Sequence, residues 1–193
     1  MARLQLNKSA LAHEMTQLRS YERFLPSLDL KRQQLMAERA KARSEVTRLR
    51  AEVTELARQV GNKVPMLAQD SVDLDGLVTL TDYALKEINV VGVAVPALDR
   101  MQITVRPYST LAKPQWVDAV ARLLHDMIEA RLKVAVAHQR VAIFDKAVAT
   151  VTQRVNLFEK VLIPRTRTNI KKIRIYLSDE QMQAVVRSKI SKR

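Results

Sequence analysis

The sequence predicts a mainly α fold: two long helical arms forming an antiparallel two-helix coiled coil, with a small mixed insert carrying a β-hairpin at the turn end. Three observations predict it. All three glycines (Gly61, Gly76, Gly92) and four of the six prolines (Pro65, Pro96, Pro107, Pro114) fall within 61–114, so the flanks are almost free of backbone breakers. Both flanks repeat apolar residues at alternating spacings of three and four. The insert holds a Val- and Ile-rich run with turn residues at its centre. The chain therefore divides into an N-terminal coiled-coil helix (1–60), a cap insert (61–114) and a C-terminal coiled-coil helix with a basic tail (115–193).

The first arm carries Leu18, Tyr21, Leu25, Leu28, Leu35, Ala42, Val46, Leu49, Val53, Leu56 and Val60 on one stripe, interrupted at Arg32 and Arg39. In the insert, "EINVVGVAVPALDRMQITVRP" alternates partially and reads as a hairpin. The preceding "SVDLDGLVTLTDYAL" fits either a short helix or a loop. The second arm places Val120, Leu123, Met127, Ala130, Val134, Ala137, Val141, Phe144, Val148, Val151, Val155, Phe158 and Leu162 at three-four spacing without a miss. A strict repeat over that length is the pattern of a coiled-coil seam, because a lone amphipathic helix drifts from it. Composition agrees: hydrophobic residues make up 47% but aromatics only 4%, which suits a seam better than a compact core.

Pairing Val60 with Val120 across the turn sets Pro164 opposite a residue near position 20, with Pro26 within about two turns of it. Proline in a helix interior removes a donor and clashes with the preceding turn, at about 3 kcal/mol. Pro164 also opens the most basic stretch, "RTRTNIKKIRI". It is expected to mark where the shaft curves or ends.

The formal net charge is +13, and its distribution is uneven. Residues 1–60 carry 12 Lys/Arg against 7 Asp/Glu, residues 61–114 carry 5 against 6, and residues 115–193 carry 16 against 7. Such a balance suits nucleic acid, an anionic surface or an acidic protein partner. There is no cysteine, so disulfides and thiolate metal sites are excluded, as fits a reducing compartment. No apolar run approaches the roughly 20 residues that span a bilayer, and the N-terminus lacks a signal-peptide core. A soluble, intracellular protein is expected.

No catalytic or cofactor site is expected. GxxxxGK[ST] and GxGxxG are absent, and three glycines confined to one insert cannot cradle phosphates. His125 and Glu129 stand four apart on one helical face, but without a third ligand they read as a solvated pair rather than a metal site. Two thin helices hold no nucleophile against a base. The cluster Arg165, Arg167, Lys171, Lys172 and Arg174 suits phosphate contact, an acidic partner or a plain solvated face. Only Tyr176 lies near it, so aromatic interleaving for base stacking is lacking.

Three stretches, in order, resemble the D subunit of the V-type and A-type rotary ATPases. "SLDLKRQQLMAE" is similar to that family's KRxxLM-type segment. "NVVGVAVP" is similar to its N-V-x-G-V-x-V-P stretch. "RVNLFEKVLIPRTRTNIKKI" resembles its C-terminal R-x-N-x-L-E-x-x-x-I-P-R segment. The resemblance implies a non-catalytic central stalk without cofactors, on the cytoplasmic side of the membrane as a peripheral part of a membrane-bound complex. It implies a shaft seated in a hexamer of A and B subunits, with the F subunit on its side and a cap subunit above the proteolipid ring. On that view Lys31, Arg32, Arg165, Arg167, Lys171 and Lys172 face the bearing, Pro164 sets the curvature of the axis, and nucleic acid is not a partner. Pro164→Ala is then expected to straighten the helix and to impair coupling more than assembly.

Two other readings compete. A basic coiled-coil protein that binds nucleic acid accounts for the charge, with affinity falling steeply in salt. A self-associating scaffold would use the seam between chains. The insert, which permits the chain to return on itself, argues against a scaffold, as does the lack of evident acidic mates for Arg32 and Arg39 on the second arm.

Overall fold

The computed structural model describes residues 4–65, 74–108, 114 and 116–192. The fold is mainly α: α1 (Lys8–Lys63), a hairpin of β1 (Val78–Val90) and β2 (Val93–Val105), α2 (Trp116–Leu157), a π-helical turn (Phe158–Leu162) and α3 (Ile163–Ile190). The segment that fitted helix or loop is strand from Val78 onward, and the β-branched pair Val78 and Thr79 opens it. Its residues 71–73 lie outside the described residues. The chain forms two compact units, Leu35–Ala147 and Met1–Gln34 with Val148–Arg193.

In the unit Leu35–Ala147, α1 and α2 pack antiparallel. Val46 and Leu49 meet Ala137, with Val134 and Val141 closing over them. Leu35 (0% exposed), Leu77 (1%) and Phe144 (2%) are its most deeply buried large residues. Charges flank this seam. Asp145 accepts from Arg43 at 2.9 Å and lies 3.6 Å from Arg39. The expectation that Arg39 lacks an acidic mate on the second arm is therefore corrected: Asp145 sits one residue past the seam position Phe144, where a cation at the facing seam position reaches it.

The hairpin belongs to the same unit. Val91 (φ 54) and Gly92 (φ 73) both adopt left-handed conformations, the two-residue turn whose twist matches the strands it joins. The Asn89 side chain accepts the Gly92 N–H at 2.8 Å, which holds that turn. Each strand carries one unpaired residue, Thr81 in β1 and Asp99 in β2, so the two irregularities cancel and pairing continues to Val78 opposite Val105. At the base, Leu77 packs on Val117 and Ala121. Tyr108 donates its hydroxyl proton to Asp118 in the first turn of α2.

Arg140 of α2 ties the hairpin to the helix pair. Its Nε and Nη2 both donate to the Pro96 carbonyl at 3.3 Å, and its Nη1 donates to Glu45 at 3.0 Å. One guanidinium thus joins β2, α2 and α1, using the planar fork that suits it to several acceptors at once.

In the unit Met1–Gln34 with Val148–Arg193, the N-terminal part of α1 packs antiparallel to the end of α2 and to α3. Asn7 caps α1, its side chain accepting the Ala10 N–H at 2.7 Å. Tyr21 and Phe158 meet edge to face with ring centroids 5.3 Å apart. Val148, Val151 and Val155 are buried at the expected spacing, and then the buried set becomes Ile163, Thr166, Ile170 and Ile173. From Val155 to Ile163 is eight residues, not the seven of a strict heptad step. The π-helical turn takes up the extra one: the Ile163 N–H bonds the Phe158 carbonyl, five residues back.

This geometry accounts for Pro164. Continuing the strict repeat past Leu162 would put Arg165, Asn169 and Lys172 on the seam. Stepping by one residue puts Thr166, Ile170 and Ile173 there instead, and burying each isoleucine contributes roughly 1.5–3 kcal/mol. Proline is then found in the first turn of α3, where its missing donor and fixed φ are tolerated.

Candidate functional site

The second unit's exposed surface is rich in cations. Arg165, Arg167, Lys171, Lys172 and Arg174 all project from α3 and are exposed. The seam phase dictates this: with Ile163, Thr166, Ile170 and Ile173 turned inward, the intervening basic residues turn outward or to the flanks. Among the described residues three polar contacts cross to α1. Arg167 donates to Glu22 at 2.7 Å, Asn169 donates to Glu14 at 3.2 Å, and Arg174 Nη2 lies 3.8 Å from Met15 Sδ.

Between α1 and α3 these residues frame an open groove of about 490 Å³. Met15, Leu18, Ile170 and Ile175 give it apolar surface, while Arg19, Arg167, Lys171 and Arg174 line its rim with Glu22. Arg165 lies outside it, in a more polar recess with His13, Glu14 and Asn169.

The basic residues singled out in the sequence do not all come together. Arg167 and Lys171 share the groove, Arg165 lies in the neighbouring recess, and Lys172 lines neither. Pro164 is exposed, and its carbonyl accepts the Thr168 hydroxyl at 2.9 Å. Lys31 and Arg32 stand apart: Arg32 is eleven residues beyond Tyr21 on α1, about 16 Å along the axis. Arg32 turns to its own helix, with Nη2 2.5 Å from Asp29. Its mate is thus local, not on the second arm.

Arg19, Glu22 and Met15 were not evident as site residues. They line the groove only because α1 faces α3 in the stepped phase, and the signal for it was the spacing Ile163, Thr166, Ile170, Ile173. The His125–Glu129 pair does not form: Glu129 bonds Lys133 at 2.7 Å, and His125 lies 3.5 Å from Asp126. Among the described residues no group of three His, Asp or Glu converges as for a metal, and no helix is long and apolar enough to cross a membrane.

The sequence model of the ATP synthase D-subunit family matches residues 10–193. The chain belongs to that family. It is similar over its whole length to the V-type ATP synthase D subunit of Borreliella burgdorferi, at 32% identity and 95% of the relative's length. Its similarity to the V-type ATP synthase D subunit of Chlamydia trachomatis serovar L2 is 30% over 96% of that protein, and to that of Chlamydia felis 29% over 93%. As an ATP synthase subunit it is part of a rotary ATPase complex, one associated with a membrane. In this chain, "NVVGVAVP" makes the hairpin turn, the Asn89 cap and the Pro96 carbonyl that Arg140 holds. "RVNLFEKVLIPRTRTNIKKI" makes the π-helical turn and the first turns of α3.

Proposed function

We propose that this chain is the central stalk of a V-type rotary ATPase, coupling ATP turnover in a hexamer of A and B subunits to rotation of the membrane ion-translocating ring. The observation that carries it is family membership along the whole chain, joined to a two-helix antiparallel packing in each unit. A torque-bearing element needs lateral stiffness, and a helix pair with an occupied seam supplies it. It needs no catalytic group or cofactor of its own, so the chain is assigned a non-catalytic role.

On this reading the exposed cations Arg165, Arg167, Lys171 and Lys172, with Lys31 and Arg32, meet acidic surfaces of the hexamer. Long-range attraction of this kind steers and centres more than it locks. The F subunit binds the side of the stalk, and the end of the stalk away from the hexamer seats in a cap subunit above the proteolipid ring. The chain is peripheral, on the cytoplasmic side, held to the membrane through the complex.

The test is a tagged pull-down from native cells, washed in high salt and treated with nuclease, with partners identified by mass spectrometry. Recovery of the A, B and F subunits and the cap subunit in fixed ratio is the expected result. Recovery of nothing after nuclease and salt would replace the stalk with a basic coiled coil that binds nucleic acid.

A further inference from the structure

We infer that the groove between α1 and α3 is a docking site for about two turns of an acidic amphipathic helix from a partner polypeptide. Two features of the groove specify that occupant. Its apolar surface comes from Met15, Leu18, Ile170 and Ile175, and Ile175 is 52% exposed. Its rim carries four cations against one carboxylate, and that carboxylate, Glu22, is engaged by Arg167. Among the described residues Arg19, Lys171 and Arg174 have no carboxylate partner.

The groove lined by Glu45, Glu52, Arg48, Lys133 and Arg140 in the other unit gives the contrast, because there acids and bases nearly balance. In the basic groove the imbalance remains, directly beside apolar surface. A phosphate backbone would use the cations and leave the apolar surface uncovered, and no aromatic ring lines the groove to stack a base. A helix with apolar anchors at i, i+4 and i+7 and acids along its flanks satisfies both features. The lining runs from Met15 to Glu22 on α1 and from Arg167 to Ile175 on α3, a length of about 12 Å, or two helical turns.

The experiment uses the full chain and a fluorescein-labelled peptide of Leu, Glu and Ala patterned as that helix, followed by anisotropy. A scrambled peptide of identical composition serves as the charge control. Expected is saturable binding by the patterned peptide, with the scrambled one weaker by about tenfold or more. Ile175→Asp, and separately Lys171→Glu with Arg174→Glu, should each weaken binding by a similar factor, while Lys189→Glu on the far tail leaves it within about twofold. All these positions are exposed, so circular dichroism should be unchanged. Equal binding of both peptides, or no saturation below about 1 mM, overturns the inference. Tighter binding of single-stranded DNA or phosphatidylserine vesicles, lost with the same substitutions, also overturns it. The result is separable from the stalk reading: peptide binding by a chain that recovers no A or B subunit would sink that reading alone.

Discussion

The unit Leu35–Ala147 and the unit Met1–Gln34 with Val148–Arg193 are built from stretches of the same helical arms, yet they treat phase and charge in opposite ways. In the first, the α2 seam keeps its three-four spacing, and basic residues beside it find carboxylates across the helix pair: Arg39 and Arg43 at Asp145, Arg140 at Glu45. In the second, the seam steps by one residue at Phe158–Leu162, and among the described residues most cations on α3 have no acid opposite. A helix pair can thus close its own electrostatics along one stretch and leave a net positive face on another. The residue step decides which side chains that face presents.

The largest expected effect tests the step itself. Deleting Lys160 removes the extra residue, so Phe158, Ile163, Thr166, Ile170 and Ile173 fall into strict three-four spacing, but Pro164 then interrupts a continuous α-helix. That variant should lose about 3 kcal/mol in urea denaturation. Combining the deletion with Pro164→Ala should recover nearly all of it. Pro164→Ala alone should keep the π-helical turn, because straightening the helix would pull Ile163, Ile170 and Ile173 off the seam. The sequence by itself led to the expectation that this substitution straightens the helix. A crystal structure of Pro164→Ala with an unbroken α-helix through 158–166 would restore that expectation and remove the phase argument.

Next in size is the contrast between mated and unmated cations. Arg140→Met keeps the aliphatic stem but leaves the Pro96 carbonyl and Glu45 without their donor. A loss of about 1–3 kcal/mol is expected, with faster hydrogen exchange in β2. Lys171→Met removes an exposed cation that has no carboxylate partner among the described residues and should change stability by less than about 0.5 kcal/mol. Equal losses would mean that the two units do not differ in how they use charge. A smaller gain is expected in the hairpin. Val91 is β-branched and left-handed, which costs roughly 1–2 kcal/mol, and asparagine adopts that conformation readily. Val91→Asn should raise stability by about 1 kcal/mol, read from the urea midpoint.

The fold was legible where physics is local. The absence of glycine and the scarcity of proline in the arms, with the uninterrupted spacing from Val120 to Val155, predict the helix pair directly. Val91-Gly92 between Val- and Ile-rich runs predicts the hairpin, although β1 starts earlier than its composition indicated, since "DYALKE" has few strand formers. The step at Phe158–Leu162 was less legible: Phe158 and Leu162 are apolar, so the strict repeat continues through them without visible error. Only the polar set Arg165, Asn169 and Lys172 reveals that the repeat has failed, too late along the chain to locate where. The groove was legible in part. Arg167, Lys171 and Arg174 stand out as a basic run, but Arg19 and Glu22 join them only through the tertiary pairing that the step selects. Asp145 was missed as the mate of Arg39 because it lies beside the seam rather than on it.

The smallest expected effect compares one carboxylate from each unit. Asp145 accepts from Arg43 and lies near Arg39, whose side chain is only 28% exposed, whereas Glu22 meets the single, well-solvated Arg167. Exposed single pairs contribute about 0–1 kcal/mol, and a shared acceptor between two cations also relieves their mutual repulsion. Asp145→Asn should therefore cost about 1 kcal/mol and Glu22→Gln less than about half of that, measured by urea denaturation at low ionic strength. Raising salt to about 1 M shortens the screening length to about 3 Å and should shrink the first cost while leaving the second near zero. If Glu22→Gln proved the costlier of the two, the basic groove would depend on that carboxylate for its own folding. The cations around it would then be structural, and the contrast between the units would reduce to their seam phase alone.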